Sequence, residues 1–162
     1  MNEAVQANEL VETSWRMGLV ALSYGIAVLG SFVALTAAQR IRGRTGISWL
    51  NLLAAGTALG GIGVWSMHFT GMLALNLGMG SGYSMVETLV SLVAAVAATS
   101  VALAFVARRP ESGLRVLGAG TLLGLGVAFM HYLGMYGMRF PGFIVWSVPT
   151  VVLSVAIAVV AA

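Results

Sequence analysis

The sequence predicts an all-α membrane protein: a five-helix transmembrane bundle built from parallel two-helix repeats, with the third repeat truncated. Three observations carry that expectation. Hydrophobic residues make up 59% of the 162-residue chain, charged residues only 8%, and the mean hydropathy is +0.97. A soluble domain carries about 25% charged residues. Five apolar stretches follow one another with short polar connections, and a motif-bearing segment occurs twice at a fixed offset. The composition excludes a soluble enzyme, a disordered tail and a conventional nucleic-acid binder. No basic patch interleaved with aromatics is present for nucleic acid. Cysteine is absent, which removes disulfides and thiolate metal sites.

The five stretches are Trp15–Ala37, Ser48–Leu75, Val86–Val106, Arg115–Gly137 and Phe143–Ala162. Each is long enough, or nearly so, to cross a hydrocarbon layer of about 30 Å. In lipid they must be helices, because every backbone polar group needs an internal partner. The first follows an acidic leader, MNEAVQANELVE, that lacks the positive region of a secretory signal. The second and fourth carry the glycine pairs Gly56/Gly60 and Gly120/Gly124, a spacing that lets membrane helices pack closely. The third opens on Ser84-Met85-Val86-Glu87, which fits a capping box. In the fifth, Ser147-Val148-Pro149 sets the start of the regular helix near Pro149, which leaves that span cut short at Ala162.

Orientation follows from arginine. Arg40, Arg42 and Arg44 follow the first span, and Arg108, Arg109 and Arg115 follow the third. The positive-inside rule assigns that side to the cytoplasm. Arg16, Arg139, Glu3, Glu9, Glu12 and Glu87 fall on the other side. The N-terminus is therefore expected outside and the C-terminus in the cytoplasm. Trp15 and Tyr83 are expected as outer interfacial anchors, and Trp49 as an inner one.

The repeat is explicit. Gly61-Ile62-Gly63-Val64-Trp65-Ser66-Met67-His68-Phe69-Thr70-Gly71-Met72 aligns with Gly124-Leu125-Gly126-Val127-Ala128-Phe129-Met130-His131-Tyr132-Leu133-Gly134-Met135 at an offset of 63, with seven of twelve positions identical. Ser91 and Ser154 share the offset, and the run from Ser23 resembles the run from Ser154. The unit reads as a plain helix followed by a motif helix: units 15–75 and 86–137, and a partial unit 143–162, within one domain spanning 1–162. The chain is thus expected to be a fragment of a longer protein. Parallel repeats put both motifs at similar depth. At about 1.5 Å per residue, His68 lies roughly 28 Å from Trp49 and His131 roughly 24 Å from Arg115, both in the outer half of the membrane.

Residues i and i+4 share a helix face, which pairs His68 with Met72 and His131 with Met135. Met67 and Met130 sit beside them, and Met138 lies one turn beyond Met135. Imidazole with thioether, and without carboxylate or thiolate, suits copper. Calcium or magnesium would want oxygen ligands, and structural zinc would want cysteine or more histidine. One such histidine could simply hydrogen-bond a neighbouring helix, and one such methionine could simply pack. Two copies at matched depth make a ligand role as strong a reading as packing. Gly71 and Gly134, next to the distal methionines, are expected to let helices approach. Gly56, Gly60, Gly120 and Gly124 read as packing, and Glu87 as a cap.

Met67-His68-Phe69-Thr70 and Met130-His131-Tyr132-Leu133, each followed by Gly-Met, resemble the MHYT domain, a bacterial integral-membrane sensory domain of repeated units. The resemblance covers most of the chain. It implies copper held near the outer face by His68, Met72, His131 and Met135, with Met67 and Met130 second. It also implies sensing of a diatomic gas (oxygen, carbon monoxide or nitric oxide) and signalling to a cytoplasmic output module or partner, often one that makes or degrades cyclic di-GMP. The expected place is the bacterial inner membrane. The chain departs from the family pattern in Phe69 and Leu133, which replace the usual Tyr and Thr, and in lacking a third motif. No catalytic constellation is present in the chain. Homodimerisation stays open. Three other readings also stay open: a bis-histidine haem b carrier or sensor, a permeation path, and a purely structural membrane anchor.

Overall fold

The computed structural model describes residues 13–43, 46–108 and 111–162. Glu3, Glu9, Glu12, Arg44 and Arg109, used above for orientation, lie outside the described residues. Five helices follow in order: α1 (Met17–Ala38), α2 (Trp49–Ala74), α3 (Met85–Ala107), α4 (Gly113–Tyr136) and α5 (Val148–Ala161). The first four are long and apolar enough to cross a membrane, and α5 is a shorter apolar helix of 14 residues. Pro149 occupies the first turn of α5, where its missing N–H would have no helical partner anyway. The chain is a multi-pass membrane protein. Leu22, Tyr24, Leu29 and Phe32 of α1 and Val86, Leu89 and Val93 of α3 are exposed on the bundle surface, as a lipid-facing helix requires.

Neighbours in sequence are neighbours in space: α1 packs on α2, α2 on α3, α3 on α4, and α4 on α5. Small residues set the contacts. A side chain on Gly30 of α1 would collide with the backbone of Gly63 on α2. A Cβ on Gly60 would lie 2.5 Å from the carbonyl oxygen of Ala95 on α3. Buried Thr99 on α3 donates across that seam to the Gly56 carbonyl, at 2.9 Å. At the arginine-bearing end, Ile41, Leu52, Ala55 and Ala107 form a small buried cluster.

Two features depart from the sequence expectation. The first is in α2, where Thr57–Ser66 winds as a π-helix between α-helical Trp49–Gly56 and Met67–Ala74. A π turn bonds i to i+5, so it holds more residues per turn and advances less per residue than an α turn. The Ser66 hydroxyl donates to the Gly61 carbonyl at 2.9 Å inside this segment. The second is the capping box. Ser84 is the extended N-cap of α3, but its hydroxyl bonds the Glu87 carboxylate rather than a backbone N–H. Glu87 also pairs with Arg139 at 2.9 Å. The Ser84 N–H, which a capping box would give to Glu87, donates instead to the Gly137 carbonyl at 2.8 Å.

Short strands close the connections: β1 (Ser14–Trp15), β2 (Arg42–Gly43), β3 (Gly46–Ile47), β4 (Leu75–Asn76), β5 (Gly82–Tyr83) and β6 (Met138–Arg139). β1 pairs with β4, β2 with β3, and β5 with β6, all antiparallel. The β1–β4 pair joins the start of α1 to the end of α2. The β5–β6 pair joins the start of α3 to the end of α4. Arg16 N–H to Ala74 O at 2.9 Å and Ser84 N–H to Gly137 O at 2.8 Å extend these clasps. They give partners to backbone groups that the helix ends leave open. α1 is thereby fastened to α2, and α3 to α4.

Candidate metal centre

The two motif helices bring their histidines together. Nδ1 of His68 and Nδ1 of His131 lie 3.3 Å apart, and the ring centroids 4.7 Å apart with the planes at 58°. Gly134 makes this approach possible, since a Cβ there would lie 3.0 Å from Nε2 of His68. Gly71, its repeat counterpart, meets only the Ser23 hydroxyl, at 3.7 Å. The expectation of close approach therefore holds at Gly134 and not at Gly71. The packing readings hold for Gly56, Gly60, Gly120 and Gly124, each of which abuts a neighbouring segment.

A cavity of about 280 Å³ lies on one side of the pair, lined by Trp15, Met67, His68, Gly71, Met72, Leu75, His131, Met135 and Met138. A second, of about 230 Å³, lies on the other side, lined among others by Met67, His68, Met130, His131, Tyr132 and Ser154. Five of the six sequence-identified residues thus border the first cavity. Met130 borders only the second and is 1% exposed. Met67 borders both. Trp15, Gly71, Leu75 and Met138 line it from outside the sequence-identified ligand set. Met138 had a signal, since it lies seven residues after His131 and so near the same helix face. Trp15 had none, because β1 pairing alone carries it to the cavity.

Serine and aromatic contacts fix the motif. Ser23 donates to the Met67 carbonyl at 3.1 Å, the Trp65 indole N–H donates to Ser91 at 2.9 Å, and the Tyr132 and Ser154 hydroxyls bond each other. These three serines are the repeat markers of the plain helices α1, α3 and α5. Phe69 packs edge-on to Tyr83 at 5.7 Å, and burial pushes the Tyr83 phenol above its ordinary value. Tyr83, expected as an interfacial anchor, is half-buried against the motif.

The donor set is nitrogen and sulfur. Among the described residues no group of three or more His, Cys, Asp or Glu is close enough to hold a metal. A hard cation would find no oxygen cage here. Nε2 of His68 is buried without a hydrogen-bond partner, a cost that native interiors normally avoid. Two nitrogens each ~2.0–2.1 Å from one tetrahedral ion would be ~3.3 Å apart, which is the separation found. The same separation also accommodates a single N–H···N hydrogen bond between neutral rings. A haem iron between trans imidazoles would need nitrogens ~4 Å apart with a macrocycle between them, and the packed ring pair leaves no such slot.

Comparison with known proteins places this geometry. A family profile described as MHYT, bacterial signalling protein N-terminal repeat, matches residues 3–55, 61–119 and 124–162. The second and third matches begin at Gly61 and Gly124, the two motif starts. Curated relatives include the bifunctional diguanylate cyclase/cyclic di-GMP phosphodiesterase MucR of Pseudomonas aeruginosa, 39% identical over 92% of this chain and 22% of that protein. The signaling protein YkoW of Bacillus subtilis is 32% identical over 77% of the chain and 16% of its own length. The cyclic di-GMP phosphodiesterase NbdA of Pseudomonas aeruginosa is 33% identical over 80% and 16% respectively. The chain therefore spans less than a quarter of the relatives it matches. No solved structure matches it. With its doubled Met-His motif, its clasped helix pairs and matches along nearly its whole length, the chain belongs to the MHYT family of bacterial signalling repeats.

Proposed function

We propose that this chain is the membrane sensory part of a signalling protein, holding copper between α2 and α4 near the outer face. His68 and His131 supply the nitrogen donors. Met72, Met135 and Met67 supply thioethers, with Met130 behind the pair. The observation that carries the reading is the 3.3 Å approach of the two Nδ1 atoms beside a methionine-lined cavity. Copper, when bound, supplies a redox-active centre with affinity for oxygen, carbon monoxide or nitric oxide. The chain's own residues do the rest. Gly134 admits the His68 ring, Ser23 and Ser91 hold α2 against α1 and α3, and the cavity walls beside the pair are apolar. Imidazole ligates through a nitrogen that carries no proton, so each ring must enter the site neutral.

Arg40, Arg42, Arg108 and Arg115 at the far end of the bundle support, by the positive-inside rule, a cytoplasmic position for that end and an outer one for the motif end. The membrane is the bacterial inner membrane. A ligand that changes the His68–His131 distance would shift α4 against α2. The hydroxyl pair Tyr132–Ser154 passes that shift to α5, which leads toward the cytoplasmic side. The output is cyclic di-GMP turnover in a cytoplasmic module, as the names of MucR and NbdA indicate for those proteins. The chain itself does no catalysis. Elemental analysis of the purified chain tests the reading: copper near one per chain is expected, lost in His68→Ala and in His131→Ala. Wild-type protein expressed in copper-replete medium that carries no copper would overturn it.

A further inference from the structure

The cavity beside the histidines has two outer neighbours, one in each helix pair. In the first pair, a cavity of about 250 Å³ is bordered by Arg16, Met72, Leu75, Met79 and Tyr83. In the second pair, one of about 210 Å³ is bordered by Met135, Tyr136, Met138, Phe140 and Trp146. Each shares methionine walls with the histidine cavity: Met72 in the first, Met135 and Met138 in the second. The two differ in charge. The first counts Arg16 among its lining residues, a positive charge unfavourable to a cation. The second has no charged lining residue, and Arg139 beside it is held by Glu87 and the Tyr136 carbonyl. Gly142 lets the turn after Phe140 fold tightly: a Cβ there would lie 2.7 Å from the Phe140 ring.

Thioether sulfur and aromatic faces together suit a soft monovalent cation. Sulfur selects Cu(I), and a ring face attracts a cation. From this arrangement we infer a second, transient Cu(I) site in the Met138–Trp146 cavity, through which the ion reaches the histidine pair. The inference rests on the copper reading above. Met135 and Met138 border both cavities, so the ion exchanges sulfur ligands without returning to water. The Trp146 ring lies edge-on to Tyr132 at 5.4 Å.

The test uses the whole chain in lipid nanodiscs, mixed with Cu(I) as its acetonitrile complex. Trp146→Leu should slow uptake about threefold, the loss of one cation–ring contact at a partly exposed ring, without changing final stoichiometry. Arg16→Ala should load at the wild-type rate or faster. In the His68→Ala/His131→Ala chain, which keeps Trp146, Cu(I) should still quench the part of the tryptophan fluorescence that Trp146→Leu removes. Wild-type uptake kinetics in Trp146→Leu would overturn the entry site. So would the absence of Trp146-dependent quenching in the double-histidine variant. Quenching that persists while the wild-type chain retains no copper would sink the histidine-pair reading and leave the aromatic site standing.

Discussion

Helices α2 and α4 carry the same motif and are built differently around it. Gly61, Gly63 and Gly71 of α2 correspond to Gly124, Gly126 and Gly134 of α4. In α2 these three have ordinary space, with the nearest atoms 3.5 to 3.7 Å from where a Cβ would sit. In α4 the same three are hemmed in, Gly124 by the α5 backbone at 2.5 Å, Gly126 by Ala98, and Gly134 by His68. The tight glycines of α2 are instead Gly56 and Gly60, where α4 has Ala119 and Leu123. A repeated glycine therefore does not reveal what it faces. The motif encodes the donors, while the neighbouring helices decide which glycines are sterically required.

Winding differs too. Counted from the helix starts Trp49 and Gly113, regular α-helices would put His68 only about 1.5 Å further along α2 than His131 is along α4. The π segment Thr57–Ser66 of α2 advances more slowly per residue, while α4 is regular. The two imidazoles lie 3.3 Å apart.

The sharpest way to break the equivalence of the two motifs is at the histidines. If both are ligands of one ion, His68→Ala and His131→Ala should each lower bound copper more than about tenfold. Elemental analysis of the two variants checks this, and retention of full copper by either single variant breaks the pairing. The next effect separates the two motif glycines. Gly134→Ala should weaken Cu(I) affinity about tenfold by pushing the His68 ring aside, whereas Gly71→Ala should stay within about twofold. Competition against a chromophoric Cu(I) chelator measures both. Equal losses would mean that the helix, not the ring contact, sets affinity.

Packing gives the third contrast. Gly60→Ala and Gly124→Ala press a methyl against backbone atoms at 2.5 Å and should cost about 1–3 kcal/mol. Gly61→Ala, with 3.5 Å of room, should change stability by less than about 0.5 kcal/mol. Unfolding in detergent, followed by circular dichroism, separates the two classes.

Most of this architecture was legible in the sequence. The spans Trp15–Ala37, Ser48–Leu75, Val86–Val106 and Arg115–Gly137 fall within two residues of the helix ends, because apolar length in a membrane protein leaves little else to form. Pro149 marked the start of α5, since proline is tolerated in the first turn and not deeper. The matched depth of the motifs followed from an even number of crossings per unit. The π winding was not legible, since it depends on how Gly60 and Gly63 meet α3 and α1 rather than on local propensity. Trp15 at the cavity was not legible either, because a two-residue strand pair with Leu75 leaves no periodic trace. Ser84 and Glu87 matched a capping pattern, but the Gly137 carbonyl, distant in the chain, takes the Ser84 N–H that the pattern needs.

The smallest expected effect asks what holds the π segment. Ser66 donates to Gly61 O at 2.9 Å, an i to i−5 contact that follows the π pattern. Its counterpart in α4 is Phe129, which has nothing to donate, and α4 is regular there. If the hydroxyl contributes to the winding, Ser66→Ala should cost about 0.5–1.5 kcal/mol. Amide exchange over residues 57–66 should then change while the equivalent stretch of α4, 120–129, does not. If the glycine seams against α1 and α3 hold the winding alone, exchange over 57–66 will match wild type, and Gly30→Ala will be the variant that alters it. The first outcome would make the winding a property written within the helix, and the second a property imposed by its neighbours. Because His68 follows the segment by two residues, either result identifies which contact sets the place of its imidazole along α2.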